Sequence, residues 1–234
     1  SNWPAAPTPW WPTDSPSVAD HTCPCPSLSP LQQTTTTNQP WHEAGVIPLT
    51  TARLSLRPFA DTDLEFVREV HTSPALMRFI PSAYTPDDDA ARRILQRFMT
   101  LRDHPQQGFS LVELRDGPDA GTPVALILVK PIPPSGGGER KDVEIGWRQA
   151  AAHCGNGYVT EAAQAVLDAL LDAGMPRVVA VTHPDNLPSQ AVARRIGMER
   201  VGLTDAYYDT ETLLFRAAPL TLTEAQQDSR VSAN

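Results

Sequence analysis

The chain has 234 residues, a formal net charge of −8 and a sequence pI near 5.2. That length suits one folded domain of ~170 residues with a sizeable core, plus extra segments. The acidic balance argues against nucleic acid as the main partner, and no run of 18 apolar residues is present to span a membrane.

Residues 1–45 differ from the rest. Proline recurs at 4, 7, 9, 12, 16, 24, 26, 30 and 40 among Ser, Thr and Gln, and no Lys or Arg precedes Arg53. Such a segment buries too little apolar surface to offset its ordering entropy and is expected to be a disordered or polyproline-like leader. Trp3, Trp10, Trp11 and Trp41 leave open a docking role beside the plainer reading of an unselected extension. It has neither the basic start nor the apolar run of a secretory signal, and no Arg of a transit peptide. Cys23 and Cys25 stand too close for a zinc site and Cys154 is alone, so no metal site is expected. The odd cysteine count fits a reducing compartment, here the cytoplasm.

The folded part is expected over residues 46–222. Arg53–Pro58 alternates apolar and polar side chains and is predicted as a strand. Asp61 or Thr62 can cap a helix to about His71. Pro74 to Pro81 reads as a loop. Pro86 and Asp87-Asp88-Asp89 open a second helix, with carboxylates at its positive end, that continues to about Leu101. Strands are predicted at Phe109–Leu114 and Pro123–Val129, the latter a continuous apolar run suited to a central strand covered on both faces. Pro131 to Arg140 reads as a turn with Gly136, Gly137 and Gly138 at its tip. Asp142–Trp147 is a further strand. After it, Val159, Ala162, Ala163, Val166, Leu170 and Ala173 mark one helix face, stopped by Gly174 and Pro176. Arg177–Thr182 is a strand, Leu187 to Ile196 a helix capped by Asp185 or Asn186 and ended by Gly197, and Glu199–Leu203 with Thr212–Ala217 a closing pair of strands. Residues 223–234 are polar and expected to fray. The order is mixed α/β.

The stretch Gly155-Asn156-Gly157-Tyr158-Val159-Thr160-Glu161-Ala162-Ala163 joins strand to helix through two glycines. The first turn of a helix leaves backbone N–H groups unpaired at the positive end of its dipole, and glycines let the backbone approach a bound group. Either this is a phosphate or pyrophosphate site, or the glycines only make a tight turn. No Gly-Lys-Ser/Thr follows and position 160 is Thr, so neither a Walker loop nor a GxGxxG fingerprint is present.

This stretch resembles the acetyl-CoA pyrophosphate loop of the GNAT acetyltransferases, and its wording is closest to the RimJ/RimL-like branch. A second block, Asn186-Leu187-Pro188-Ser189-Gln190 followed by Ala193 and Arg195-Ile196-Gly197-Met198, is similar to that family's later motif. Leu49 to Arg57 resembles the branch's opening strand. The resemblance covers Pro48 to Leu222. It implies the GNAT acyl-CoA N-acyltransferase fold, a mostly antiparallel twisted sheet of about seven strands with about four helices. It also implies an N-acetyltransferase that moves an acetyl group from acetyl-CoA, as co-substrate, to a primary amine, as a monomer or homodimer. A CoA-binding or docking module that has lost turnover is the alternative.

By the same resemblance, Cys154, Gly155, Asn156, Gly157, Tyr158, Val159 and Thr160 hold the pyrophosphate. Ile145, Gly146 and Trp147 pair with the pantetheine amides. Asn186 and Ser189 touch the pantetheine arm or an ordered water near the sulfur, or cap their helix. Glu144 is the candidate general base, against the plainer reading of an ion pair with Arg148 or Lys130. Many relatives carry a thiolate-protonating Tyr where this chain has Ala193, so the acid is a water, Tyr207 or Tyr208. Ala152 stands where the wider family often has Gln or Arg. Cys154 is read as a small packed residue rather than a nucleophile. The acceptor is a protein N-terminal amine or a small-molecule amine, expected between the first two helices and the last hairpin.

Overall fold

The structure is a computed structural model that describes residues 48–219 except 81, 82, 102, 103, 105, 106 and 140. The leader and the polar tail of the sequence analysis lie outside the described residues.

Among the described residues eight strands form one sheet: β1 (Leu49–Thr50), β2 (Leu54–Pro58), β3 (Gly108–Leu114), β4 (Pro123–Pro131), β5 (Val143–Gln149), β6 (Val178–Thr182), β7 (Glu199–Thr204) and β8 (Thr212–Ala217). Their spatial order is β1-β2-β3-β4-β5-β6-β8-β7. Every neighbouring pair is antiparallel except β5 and β6. Five α-helices accompany them: α1 (Leu64–Thr72), α2 (Pro74–Met77), α3 (Asp88–Thr100), α4 (Tyr158–Asp172) and α5 (Leu187–Arg195).

Two elements exceed the expected seven strands and four helices. β1 is only two residues, pairing Leu49 with Leu56 and Thr50 with Ser55, too short to show alternation. α2 replaces the expected loop after Thr72. Its Pro74 sits at the first helical position, where a missing N–H costs nothing. The start of α1 also differs. A 3₁₀ turn, Asp61–Asp63, precedes it, and the buried Asp63 accepts both Nη1 and Nη2 of Arg57, at 2.7 and 2.8 Å, instead of leaving the entry to Asp61 or Thr62.

β4 reads in both directions, as its unbroken apolar sequence requires. Ala125, Ile127 and Val129 face a core shared with Val159, Ala163, Val166 and Leu170 of α4. Leu126 and Leu128 face a second core with Phe66, Val67 and Val70 of α1 and Leu95 and Phe98 of α3. In that second core Phe98 stacks on Phe109 with centroids 3.9 Å apart. Asp87 caps α3, accepting the N–H of Ala90 at 2.7 Å.

The feature that positions the site lies at the middle of the sheet. β5 pairs with β4 along its whole length, from Pro131↔Val143 to Ala125↔Gln149. It pairs with β6 only at Val143↔Val178 and Glu144↔Val179. Beyond Glu144 the two parallel strands part, and the edge of β5 from Ile145 onward faces a gap.

Candidate functional site

β5 leads through a 3₁₀ turn, Ala151–His153, into the glycine loop. Gly155 and Gly157 have φ of 84° and 77°, the left-handed region that favours glycine. Gly157 is the N-cap of α4, and the first helical bond runs from the N–H of Glu161 to its carbonyl at 3.0 Å. The amides of Tyr158, Val159 and Thr160 therefore have no acceptor within the helix. Gly155, Asn156 and Gly157 are exposed. A bare helix terminus behind two glycines, at the open end of the β5–β6 gap, fits the diphosphate and amide arm of coenzyme A.

Cys154 is exposed, which corrects its reading as a packed residue. The extended backbone after the 3₁₀ turn leaves only a weak contact of Sγ with the Ala150 carbonyl, at 3.8 Å. Ile145 is fully buried in the core against α4, and Trp147 packs on the same core with its Nε1 buried and unpartnered among the described residues. These two residues thus offer the gap their backbone, not their side chains. Gly146 lies between them on the opposite face. A Cβ there would sit 3.2 Å from Cγ and Cδ1 of Leu128.

Asn186 is the cap of α5, its Oδ1 accepting the N–H of Ser189 at 3.2 Å. Ala193 is fully buried in the core against α4, so no proton donor is supplied from that position.

Glu144 is the last residue of β5 paired to β6, and it is 8% exposed. Its Oε2 lies 2.8 Å from Nζ of Lys130, directly across the β4–β5 ladder. Of the two cations weighed as its partner, Lys130 takes the contact. Tyr208 donates its hydroxyl to the same oxygen, and Nζ of Lys130 lies 2.5 Å from that hydroxyl. Carboxylate, phenol and ammonium thus form one closed cluster at the mouth of the gap.

Tyr208 reaches the cluster from the β7–β8 loop through unusual backbone. Tyr208 and Asp209 have φ of 61° and 52°, a conformation costing non-glycine residues about 1–2 kcal/mol each. Contacts with the β4–β5 turn hold it. Tyr208 N–H donates to the Pro133 carbonyl at 3.3 Å and Ser135 N–H to the Ala206 carbonyl at 2.9 Å, while Asp209 Oδ1 accepts the Gly136 N–H at 2.7 Å. Tyr207 is turned elsewhere, donating its hydroxyl to Asp142 at 2.7 Å. Burial, and then the Asp142 carboxylate, push its pKa up to about 12.

Two contacts were not legible as site features. The Glu161 carboxylate, in the first turn of α4, accepts the Thr51 hydroxyl at 2.6 Å, the Arg53 backbone N–H at 3.0 Å and Arg53 Nε at 2.7 Å. Nη1 of Arg53 also donates to the carbonyl of Asn156 in the glycine loop, at 3.1 Å. Burial raises the pKa of Glu161, but these hydrogen bonds outweigh it and leave the carboxyl below its ordinary value. The phrase Thr51-Ala52-Arg53 is the only sequence signal for this tether. The second contact joins Arg148 of β5 to His71, buried at the end of α1.

Among the described residues no helix is long and apolar enough to cross a membrane, and no group of three His, Cys, Asp or Glu is placed to hold a metal ion.

Comparison with known proteins identifies the family and the fold. The acetyltransferase (GNAT) domain family matches residues 53–199. YnaD of Bacillus subtilis (strain 168), described as an uncharacterized N-acetyltransferase, is 30% identical over 155 residues, covering 66% of this chain and 84% of that protein. The crystal structure of an acetyltransferase from Agrobacterium tumefaciens strain C58 is 26% identical with a TM-score of 0.59, covering 72% of this chain and 92% of that one. RimJ of Mycobacterium smegmatis, solved in complex with CoA-disulfide, has a TM-score of 0.59 at 19% identity, covering 81% of this chain and 97% of that one, a likeness of fold. The match spans well over half of the chain, from the residue before β2 through the glycine loop to the start of β7, and the protein is an acyltransferase that belongs to the GNAT acetyltransferase family.

Proposed function

We propose that the protein transfers the acetyl group of acetyl-CoA to a primary amine by direct attack within a ternary complex. The observation that carries this is the parting of β5 from β6 at Glu144, with the bare terminus of α4 at one end of the gap and the Glu144–Tyr208–Lys130 cluster at the other. Backbone N–H groups from Gly155 to Thr160 hold the diphosphate, with Asn156 in the loop. The open edge of β5 at Ile145, Gly146 and Trp147 pairs with the pantetheine amides. Asn186 and Ser189, at the cap of α5, border the arm.

Acyl transfer from a thioester to an amine forms a C–N bond, breaks a C–S bond, releases one proton from nitrogen and requires one at sulfur. Glu144 accepts the proton shed by the amine. Tyr208, in contact with the same carboxylate oxygen, gives its proton to the leaving thiolate and regains one from Glu144. Lys130 holds the pair together. Tyr207 is the poorer acid, since its pKa is raised to about 12 and its hydroxyl is committed to Asp142. Acceptors in this reading are a protein N-terminal amine or a small-molecule amine, and the cytoplasm is the place of action. The second reading, a CoA-binding module without turnover, draws on Ala193, which is packed where many relatives carry a Tyr.

Calorimetric titration of acetyl-CoA and CoA into the full chain tests the site. Micromolar binding is expected, abolished by Gly157→Val, whose side chain the φ of 77° disfavours; circular dichroism checks that this variant is folded. Thiol release with an amine panel then separates the two readings. No binding at millimolar CoA would sink both.

A further inference from the structure

Arg148 follows Glu144 by four residues on β5, so the two side chains stand on one face of the strand, with the side-chain-free Gly146 between them. That face meets α1 and α3. About 13 Å of strand separates the two Cα atoms.

The surroundings of Arg148 are unusual for a cation drawn into a protein. Among the described residues its hydrogen-bond partner is Nε2 of His71, 2.5 Å from its Nη1. His71 is fully buried and its Nδ1 lies 2.8 Å from the Val67 carbonyl. Nδ1 therefore carries the proton and Nε2 is the acceptor. Burial, and then the charge of Arg148, hold the pKa of His71 down at about 3, so the ring is neutral. It orients the guanidinium without balancing its charge.

No carboxylate among the described residues forms an ion pair with Arg148. Glu144, whose charge acts on it at longer range together with Tyr208, is already engaged by Lys130. A guanidinium presents five N–H donors, and one is used here. Arg148 is half-buried, and its remaining donors hydrogen-bond no other described residue. Drawing a cation out of water against one neutral acceptor is unfavourable, and an anion on the free edge of the fork offsets that cost. A carboxylate is a group that a planar guanidinium takes with two parallel hydrogen bonds, and it is the anion that a small amine acceptor most simply carries.

We propose that Arg148 is the acceptor-binding residue of this enzyme and takes a carboxylate of the acceptor, making the acceptor a small amino acid with its amine at Glu144 and its acid group at Arg148. This rests on the acetyl-transfer reading above and narrows its acceptor class. His71 is a positioning residue for Arg148.

The test uses the full chain with acetyl-CoA and two probe sets: free α-amino acids and ω-amino acids of two to six carbons, each beside its carboxamide. Thiol release gives kcat and KM, and calorimetry on the CoA-bound protein gives acceptor affinity without turnover. At least one acid should exceed its amide by ~100-fold in kcat/KM, the scale of a charge-assisted pair. Arg148→Met should raise KM for that acid about 100-fold with kcat, acetyl-CoA affinity and the amide's KM little changed. Arg148→Lys should recover part of the preference. Equal treatment of acid and amide by both readouts overturns the carboxylate site, as does an Arg148→Met variant that weakens both alike. Absence of acetyl-CoA binding would instead sink the acetyl-transfer reading.

Discussion

Arg53 and Glu161 meet across 108 residues of chain, Nε of one 2.7 Å from Oε2 of the other. The pairing joins the bend between β1 and β2 to the first turn of α4. A carboxylate in that turn stabilises the helix dipole but opposes any anion bound at the same terminus. The Arg53 guanidinium neutralises that charge, Thr51 donates its hydroxyl to the same carboxylate, and Nη1 of Arg53 holds the Asn156 carbonyl of the glycine loop. Arg53→Met should weaken acetyl-CoA about 10-fold with kcat nearly unchanged. The tether also has a pH signature. The folded pKa of Glu161 is lowered, so its contribution is present above the unfolded value of 4.5 and disappears as pH falls through the lower folded value. The difference in urea midpoint between wild type and Arg53→Met should be constant from pH 7 to 5 and shrink below about 4.5.

Glu144 and Tyr208 share one hydrogen bond, and their removal should separate binding from chemistry. Glu144→Gln keeps the shape but not the base, and should lower kcat by about 100-fold or more while leaving the Kd of acetyl-CoA within about 2-fold. Tyr208→Phe should lower kcat by at least about 10-fold. Tyr207→Phe should leave kcat unchanged and lower Tm, since it breaks only the contact with Asp142. Unimpaired turnover of Glu144→Gln would remove it from the mechanism.

His71 makes an acid-sensitive joint. Its folded pKa of about 3 lies below its ordinary 6.5. Between those values the unfolded chain takes up a proton that the folded chain refuses. Stability therefore falls as pH drops below 6.5, by at most about 1.4 kcal/mol per pH unit, and this loss ends near pH 3. His71→Gln should flatten the fall in urea midpoint between pH 6.5 and 5, a range above the titration of ordinary carboxyls.

Gly146 is constrained by contact rather than by φ. Adding a methyl would press 3.2 Å against Leu128, itself 7% exposed. Gly146→Ala should cost about 1–2 kcal/mol through overpacking, or roughly 3–6 °C in Tm. Leu128→Val in the same chain should restore much of that loss, and additive effects would show that the two do not touch.

The fold was largely legible because its strands and helices carry clear periods. Val124 to Val129 announced a strand with both faces covered, and the α4 stripe from Val159 to Leu170 announced its packing side. The glycine loop was legible as a local pattern of spacing. What joins distant parts was not. Nothing in the order of residues says that Glu161 turns back to Thr51 and Arg53, or that Arg148 reaches His71 at the end of α1. Tyr208 could be named only as one of two neighbours, because its selection over Tyr207 depends on two consecutive left-handed residues that a sequence of Tyr and Asp does not advertise. Cys154 was misjudged for a related reason: small size suits a core and a surface turn equally, and the 3₁₀ turn before it decided for the surface.

The parted strands β5 and β6 amount to a sheet with a seam left open in its interior. Peptide groups there have strand partners on one side only, as at an outer edge, although they lie in the middle of the sheet. A slender molecule bearing amides of its own can close the seam and become, for the duration of its stay, a ninth strand. Occupancy should then be readable as protection: between Ile145 and Trp147, the backbone amides that point away from β4 into the seam exchange hydrogen quickly in the free protein and slowly once coenzyme A is bound, and the melting temperature rises with coenzyme concentration.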